Sequence, residues 1–165
     1  MRSFEGKGST FWIEVAAPTS LPPTQVSIGS DAMLDGVDVL VVEDNATNRK
    51  IVTLMLESLG ASVSLAENGE RGVEAALNGA FDLILMDIQM PGIDGLEATR
   101  RIRAAVGPVA ATPILALTAN VMSDQRQAYL DGGMNGVIAK PVSPAALILE
   151  ISRLAAPSPA PLGPT

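Results

Sequence analysis

Phe81-Asp82-Leu83-Ile84-Leu85-Met86-Asp87-Ile88-Gln89-Met90-Pro91-Gly92-Ile93-Asp94-Gly95 is an apolar run that closes on a carboxylate and breaks at once into a Gly/Pro turn. A short apolar run bounded by turn residues is the pattern of a strand buried on both faces. Asp87 is therefore expected at the carboxyl end of such a strand, where open α/β sheets gather their ligands. Three further runs end in the same way. Val37-Asp38-Val39-Leu40-Val41-Val42 stops at Glu43-Asp44, Pro113–Leu117 stops at Thr118, and Gly136–Ala139 stops at Lys140-Pro141. Four strand ends thus carry an acid pair, an acid, a hydroxyl and an ammonium.

Between these runs the pattern becomes helical. Asn45–Leu59 places Ile51, Met55 and Leu59 at helical spacing, with Gly60 as a stop. Gly69–Asn78, Gly95–Ala105, Met122–Leu130 and Pro144–Leu154 are the other helical segments, and Ser62–Ala66 is a fifth strand. Five strands alternating with five helices predict a doubly wound α/β domain with a parallel sheet covered on both faces. With strand order 2-1-3-4-5, Glu43-Asp44 and Asp87 would flank the switch point where ligands bind.

The 165 residues suffice for one domain with extensions, and their composition narrows the chemistry. There is no cysteine and no histidine, which excludes disulfides, thiol catalysis and imidazole acid–base work and leaves any metal to oxygen ligands. The formal charge of −7 argues against nucleic acid and anionic membranes as partners. The chain carries no apolar stretch long enough for a membrane span and no secretory leader pattern, so a cytoplasmic location is expected. With 47% hydrophobic but only 3% aromatic residues, the core must be built from aliphatic side chains and methionine. Met86, Met90 and Met134 are expected to fill it, while Leu149, opposite the Leu147/Ile151/Leu154 face, is expected to be exposed.

Outside 37–154 the character changes. Residues 1–15 form a glycine turn leading into an alternating strand, 16–36 are Pro/Ser/Thr/Gly-rich and read as a linker, and 155–165 read as a disordered Pro-rich tail. Leu34 is the linker residue expected to touch the following domain.

Val42-Glu43-Asp44-Asn45, Leu85–Pro91, Asp94-Gly95, Leu117-Thr118-Ala119-Asn120 and Ala139-Lys140-Pro141, in this order and each at a strand end, closely resemble the response-regulator receiver domain. The resemblance spans 37–154. The wording of 85–91 and 117–120, with Gly133-Met134 ahead of the Lys-Pro, is most similar to receivers of hybrid sensor histidine kinases. Gly6-Lys7-Gly8-Ser9-Thr10-Phe11 resembles the last glycine motif and closing strand of a kinase ATP-binding domain, so 1–15 would be a remnant of that domain.

The resemblance implies a two-component phosphorelay module. Asp87 would accept a phosphoryl group from phosphohistidine, with Mg²⁺ held by Asp44, Asp87 and the backbone carbonyl of Gln89, and by Glu43 through water. Lys140 would neutralise the phosphoryl oxygens and Thr118 would hydrogen-bond the new group, repacking the surface of the fourth helix, fifth strand and fifth helix. Gln89 and Asn120 stand where the family tunes acyl-phosphate lifetime. Val137 stands where an aromatic is common, which favours a relay way-station over an aromatic-coupled output. Partners implied are histidine kinase dimerisation helices or a histidine phosphotransfer domain, with the chain a monomer or weak dimer and not itself an enzyme. Two other classes remain open on the residues. One is a Mg²⁺-dependent phosphohydrolase with Asp87 as nucleophile, disfavoured because Gln89 stands where a second carboxylate could act as general acid. The other is an interaction module that is never phosphorylated.

Overall fold

The computed structural model describes residues 2–3, 9–10, 33–120 and 122–155. The chain divides into two compact units, residues 1–31 and 32–165. In the first, Arg2–Ser3 pairs antiparallel with Ser9–Thr10. The expected strand at 11–15, the linker up to residue 32 and the tail from 156 lie outside the described residues.

The second unit alternates strand and helix: β1 (Asp38–Val42), α1 (Ala46–Ser58), β2 (Ser62–Ala66), α2 (Gly69–Asn78), β3 (Leu83–Asp87), α3 (Gly95–Arg103), β4 (Ile114–Thr118), α4 (Ser123–Asp131), β5 (Gly136–Ala139) and α5 (Pro144–Ala155). The strands form one parallel sheet in the order β2-β1-β3-β4-β5. This is the doubly wound fold that the alternation predicts.

Successive strand residues point to opposite faces, and both faces are apolar. Val39, Val41, Leu83, Leu85, Leu115 and Leu117 pack on one side with Val52 and Leu56 of α1 and Leu147 of α5. Leu40, Val42, Ile84, Met86, Ile114 and Ala116 pack on the other with Ala76 of α2 and Ala98 and Ile102 of α3. Met86, Met90 and Met134 are buried and Leu149 is exposed, as expected. Val137 is buried in the second cluster rather than at the surface.

The structure alters the expected face of α1 and bears out the contact expected of Leu34. The buried stripe of α1 is Val52, Leu56 and the following Leu59; Ile51 is 44% exposed and Leu54 56% exposed. Apolar residues stand on adjacent stripes of this helix, so periodicity cannot choose between them and contact with the sheet does. Leu34 is buried in the first cluster, and its N–H donates to Leu59 O at 2.9 Å, so the packed unit begins a turn ahead of Val37.

Helix starts fix where the strands deliver their last residues. Asn45 caps α1 by accepting from Thr47 N and Asn48 N, Asn68 caps α2 through Arg71 N, and Asp94 caps α3 through Glu97 N at 2.7 Å. These caps sit immediately after the loops that follow β1, β2 and β3. They lock the strand-to-helix turns at the carboxyl end of the sheet.

Candidate functional site

The carboxyl ends of β1 and β3 lie side by side, with Val42 paired to Met86. Glu43 and Asp87 are therefore delivered to the same crevice and both are buried, while Asp44 faces solvent at its mouth. Among the described residues, Glu43, Asp44 and Asp87 bring carboxylate oxygens within 4.8 Å of one another. β4 contributes Thr118 from the other side of β3. The turn after β5 contributes Lys140, whose peptide bond to Pro141 is cis.

Lys140 Nζ lies 2.7 Å from Asp87 Oδ2 and 2.7 Å from Glu43 Oε2. Glu43 Oε2 is buried, and the Lys140 ammonium is the charged partner that reaches it. The other oxygen, Glu43 Oε1, accepts from Asn48 Nδ2 at 3.1 Å and from Asn45 N at 3.3 Å. Arg49 donates to the carbonyls of Glu43 and Asp44 at 2.7 and 2.8 Å, pinning the strand exit from which both carboxylates project. Asn48 and Arg49 are functional neighbours that the sequence reading missed. The signal was their place in the first turn of the helix that follows the acid pair.

Three carboxylates and one ammonium leave two negative charges uncompensated in this crevice. Burial raises the Asp87 carboxyl above the ordinary aspartate value of 3.8; Lys140 and the Gln89 N–H oppose that rise, and the charge of Glu43 adds to it. Burial alone would lower Lys140. Its contacts with Asp87 and Glu43 outweigh that and hold the ammonium above the ordinary lysine value of 10.5. The ligand atoms on offer are all hard oxygens and three carboxylates face a single ammonium, so the residues fit a divalent cation such as Mg²⁺ that retains some of its waters.

Gln89 N donates to Asp87 Oδ1 at 3.1 Å, folding the loop after β3 over the carboxylate and placing the Gln89 backbone beside it. Thr118 Oγ1 donates to Asn120 O at 3.1 Å and accepts from Asn120 N at 3.2 Å. Asn120 Oδ1 in turn accepts from Met122 N at 3.1 Å, just ahead of α4. The hydroxyl is thus engaged by the loop leading into α4, and any reorientation of Thr118 must disturb that loop.

Two expected outcomes follow from this geometry. A Cβ on Gly95 would collide with the backbone oxygen of Asp87, so Gly95→Ala cannot be accommodated without moving the acidic strand end. Helix propensity alone predicts a gain of about 1 kcal/mol for this change in α3. The close contact predicts instead a loss of about 2–3 kcal/mol in urea unfolding.

Asp87→Asn is the second case. Because the folded state raises the Asp87 pKa, it holds that proton more tightly than the unfolded chain, and the wild type loses stability as pH rises through the folded value. The amide carries no such penalty. The variant should therefore melt higher than wild type near pH 7, by a few degrees for a domain of this size, with the advantage vanishing in acid. Melting curves from pH 3 to 8 check this.

The sequence profile of the response regulator receiver domain matches residues 39–152. The aerobic respiration control sensor protein ArcB of Escherichia coli K12 is 38% identical over 152 residues, covering 92% of this chain and 19% of ArcB. The sensor protein GacS of Pseudomonas syringae pv. syringae is 39% identical over 153 residues, covering 90% of this chain and 16% of GacS. The chain thus spans less than a fifth of the length of these relatives. Among solved structures, the receiver domain of sensor histidine kinase PA1611 from Pseudomonas aeruginosa PAO1 superposes with a TM-score of 0.66 at 42% identity, covering 72% of this chain and 96% of that one. That structure holds a magnesium ion coordinated in its active-site cleft.

Proposed function

This chain belongs to the response regulator receiver domain family, and from that premise we propose that it accepts a phosphoryl group from phosphohistidine onto Asp87. The observation that carries the reading is the convergence of Glu43, Asp44 and Asp87 with the Lys140 ammonium 2.7 Å from the Asp87 carboxylate.

In the proposed step, one Asp87 oxygen attacks phosphorus as the P–N bond to the donor imidazole breaks and its electron pair returns to nitrogen. An acyl phosphate results. Asp44, Asp87 and the Gln89 carbonyl would hold Mg²⁺, with Glu43 reaching it through water, and the metal would supply charge neutralisation on the transferring oxygens. Glu43 keeps its position through Asn48 and the Asn45 N–H. Lys140 is freed from its contact with Asp87 Oδ2 to pair with a phosphoryl oxygen, a preorganised electrostatic contribution. Thr118 turns from Asn120 to the new phosphoryl group and draws the loop before α4 with it, shifting the α4–β5–α5 surface.

The partners that fit this role are the dimerisation helices of a histidine kinase or a histidine phosphotransfer domain. The relation to sensor proteins supports origin in a hybrid kinase, with 1–15 as the end of its ATP-binding domain and 37–154 as the receiver. Val137 supplies no ring to swing, and this favours a relay role. No helix among the described residues is long and apolar enough to cross a membrane.

The test is phosphoryl transfer from a radiolabelled histidine phosphotransfer domain, run beside hydrolysis of p-nitrophenyl phosphate. Label moving to this chain in a single base-labile equivalent, without ester turnover, is the expected result. Sustained ester turnover would favour a phosphohydrolase.

A further inference from the structure

The loop that joins Asp87 to α3 is fastened at its base by Ile88 N donating to Leu117 O and Gly95 N donating to Ile88 O, each at 3.1 Å. Beyond Met90 the chain turns through Gly92 at φ +82°. There Ile93 N donates to Glu70 Oε1 at 3.2 Å, a bond that spans 23 residues of sequence. Among the described residues this is the one side-chain hydrogen bond made to residues 90–93.

The α2 start is shaped to receive this loop. A Cβ on Gly92 would lie 2.8 and 3.1 Å from the two Glu70 carboxylate oxygens, so the carboxylate occupies the space a side chain would take. A Cβ on the neighbouring Gly69 would lie 2.5 Å from Ile93 Cγ1 and 2.6 Å from Ile93 O. Two successive residues of α2 thus abut two successive residues of the loop. A carboxylate accepting a backbone N–H makes a charge-assisted bond, stronger than a neutral one.

We propose that Glu70 is a positioning residue for the metal and phosphoryl site, a clamp that fixes the 88–94 loop and through it the direction of the Gln89 carbonyl. A backbone carbonyl cannot be steered by its own side chain; only the conformation of the loop aims it. Three residues separate Gln89 from the clamped Ile93 N–H, and Gln89 N is itself tied to Asp87 Oδ1. Glu70 touches neither metal nor phosphoryl group. Its effect is on how much of the metal-free population already holds the ligand geometry. The inference rests on the receiver reading.

The experiment compares wild type, Glu70→Ala and Glu70→Gln. Exchange of the Ile93 amide is followed by NMR in metal-free protein, Mg²⁺ binding by calorimetry with MgCl₂, and phosphorylation by acetyl phosphate across a Mg²⁺ series. Glu70 is exposed, so both variants should fold. The alanine variant is expected to exchange the Ile93 amide about 10-fold faster and bind Mg²⁺ about 3–10-fold more weakly, with the rate at saturating Mg²⁺ unchanged. Glutamine, whose Oε1 can accept the same bond, is expected to restore both. Wild-type Mg²⁺ affinity in the alanine variant would overturn the clamp. So would a glutamine variant as impaired as alanine, since that result belongs to a long-range charge and not to a hydrogen bond. A wild type that binds no Mg²⁺ would instead sink the receiver reading, and the clamp with it.

Discussion

Lys140→Met is expected to slow phosphorylation by about 10²–10³-fold while making Mg²⁺ bind about 10-fold more tightly. The two effects have opposite signs because one ammonium has two roles. In the resting protein Nζ lies 2.7 Å from both Glu43 Oε2 and Asp87 Oδ2, where its charge opposes an arriving cation. During transfer the same charge stabilises the phosphoryl oxygens. Methionine keeps most of the stem and removes only the charge. The metal-free variant should also melt lower, since Glu43 and Asp87 then face each other without a counter-charge. The raised Lys140 pKa fixes the sign of that loss with pH: the stabilisation is present below the ordinary lysine range and disappears as pH climbs through the folded value. Added Mg²⁺ should raise the melting temperature of the variant more than that of wild type. Calorimetry and single-turnover labelling together check the prediction, and a parallel loss of both affinity and rate would contradict it.

Asp44→Asn is expected to weaken Mg²⁺ by about 100-fold, close to 2.7 kcal/mol, while leaving the fold intact. Asp44 is exposed, and its backbone carbonyl, which accepts from Arg49, is unchanged by the substitution. The loss is thus confined to the metal. Phosphorylation should require proportionally more Mg²⁺, and an unchanged binding isotherm would remove Asp44 from the ligand set.

The strand ends were legible because each is marked by a change in chemistry: aliphatic residues up to Met86, then a carboxylate and a Gly/Pro turn. The same contrast marks Val42 against Glu43 and Leu117 against Thr118. The parallel, doubly wound architecture followed from the alternation of periods; the strand order itself is not carried by it. Other features depended on contacts that the one-dimensional pattern does not carry. On α1 the apolar stripes are adjacent, so the buried Val52/Leu56 face could be identified only against β1 and β2. The strand ends at Asp87 as expected but starts at Leu83, after Asp82, whose carboxylate accepts from Asp38 N at 2.9 Å. The engagement of Thr118 by Asn120 and the reach of Glu70 to Ile93 belong to loop backbone geometry, which no periodicity reports. Asn48 and Arg49 look like ordinary helix-start residues until their donors are seen to point back at the strand exit.

The central claim is that Asp87 becomes an acyl phosphate. Its most direct measurement is intact mass after incubation with acetyl phosphate and Mg²⁺, beside Asp87→Asn and a chelator control. A single base-labile phosphoryl adduct on the wild type, absent from both controls, is the predicted result. An adduct that persists in Asp87→Asn, or a folded wild type that takes up no phosphoryl group from either acetyl phosphate or a phosphohistidine donor, would contradict it.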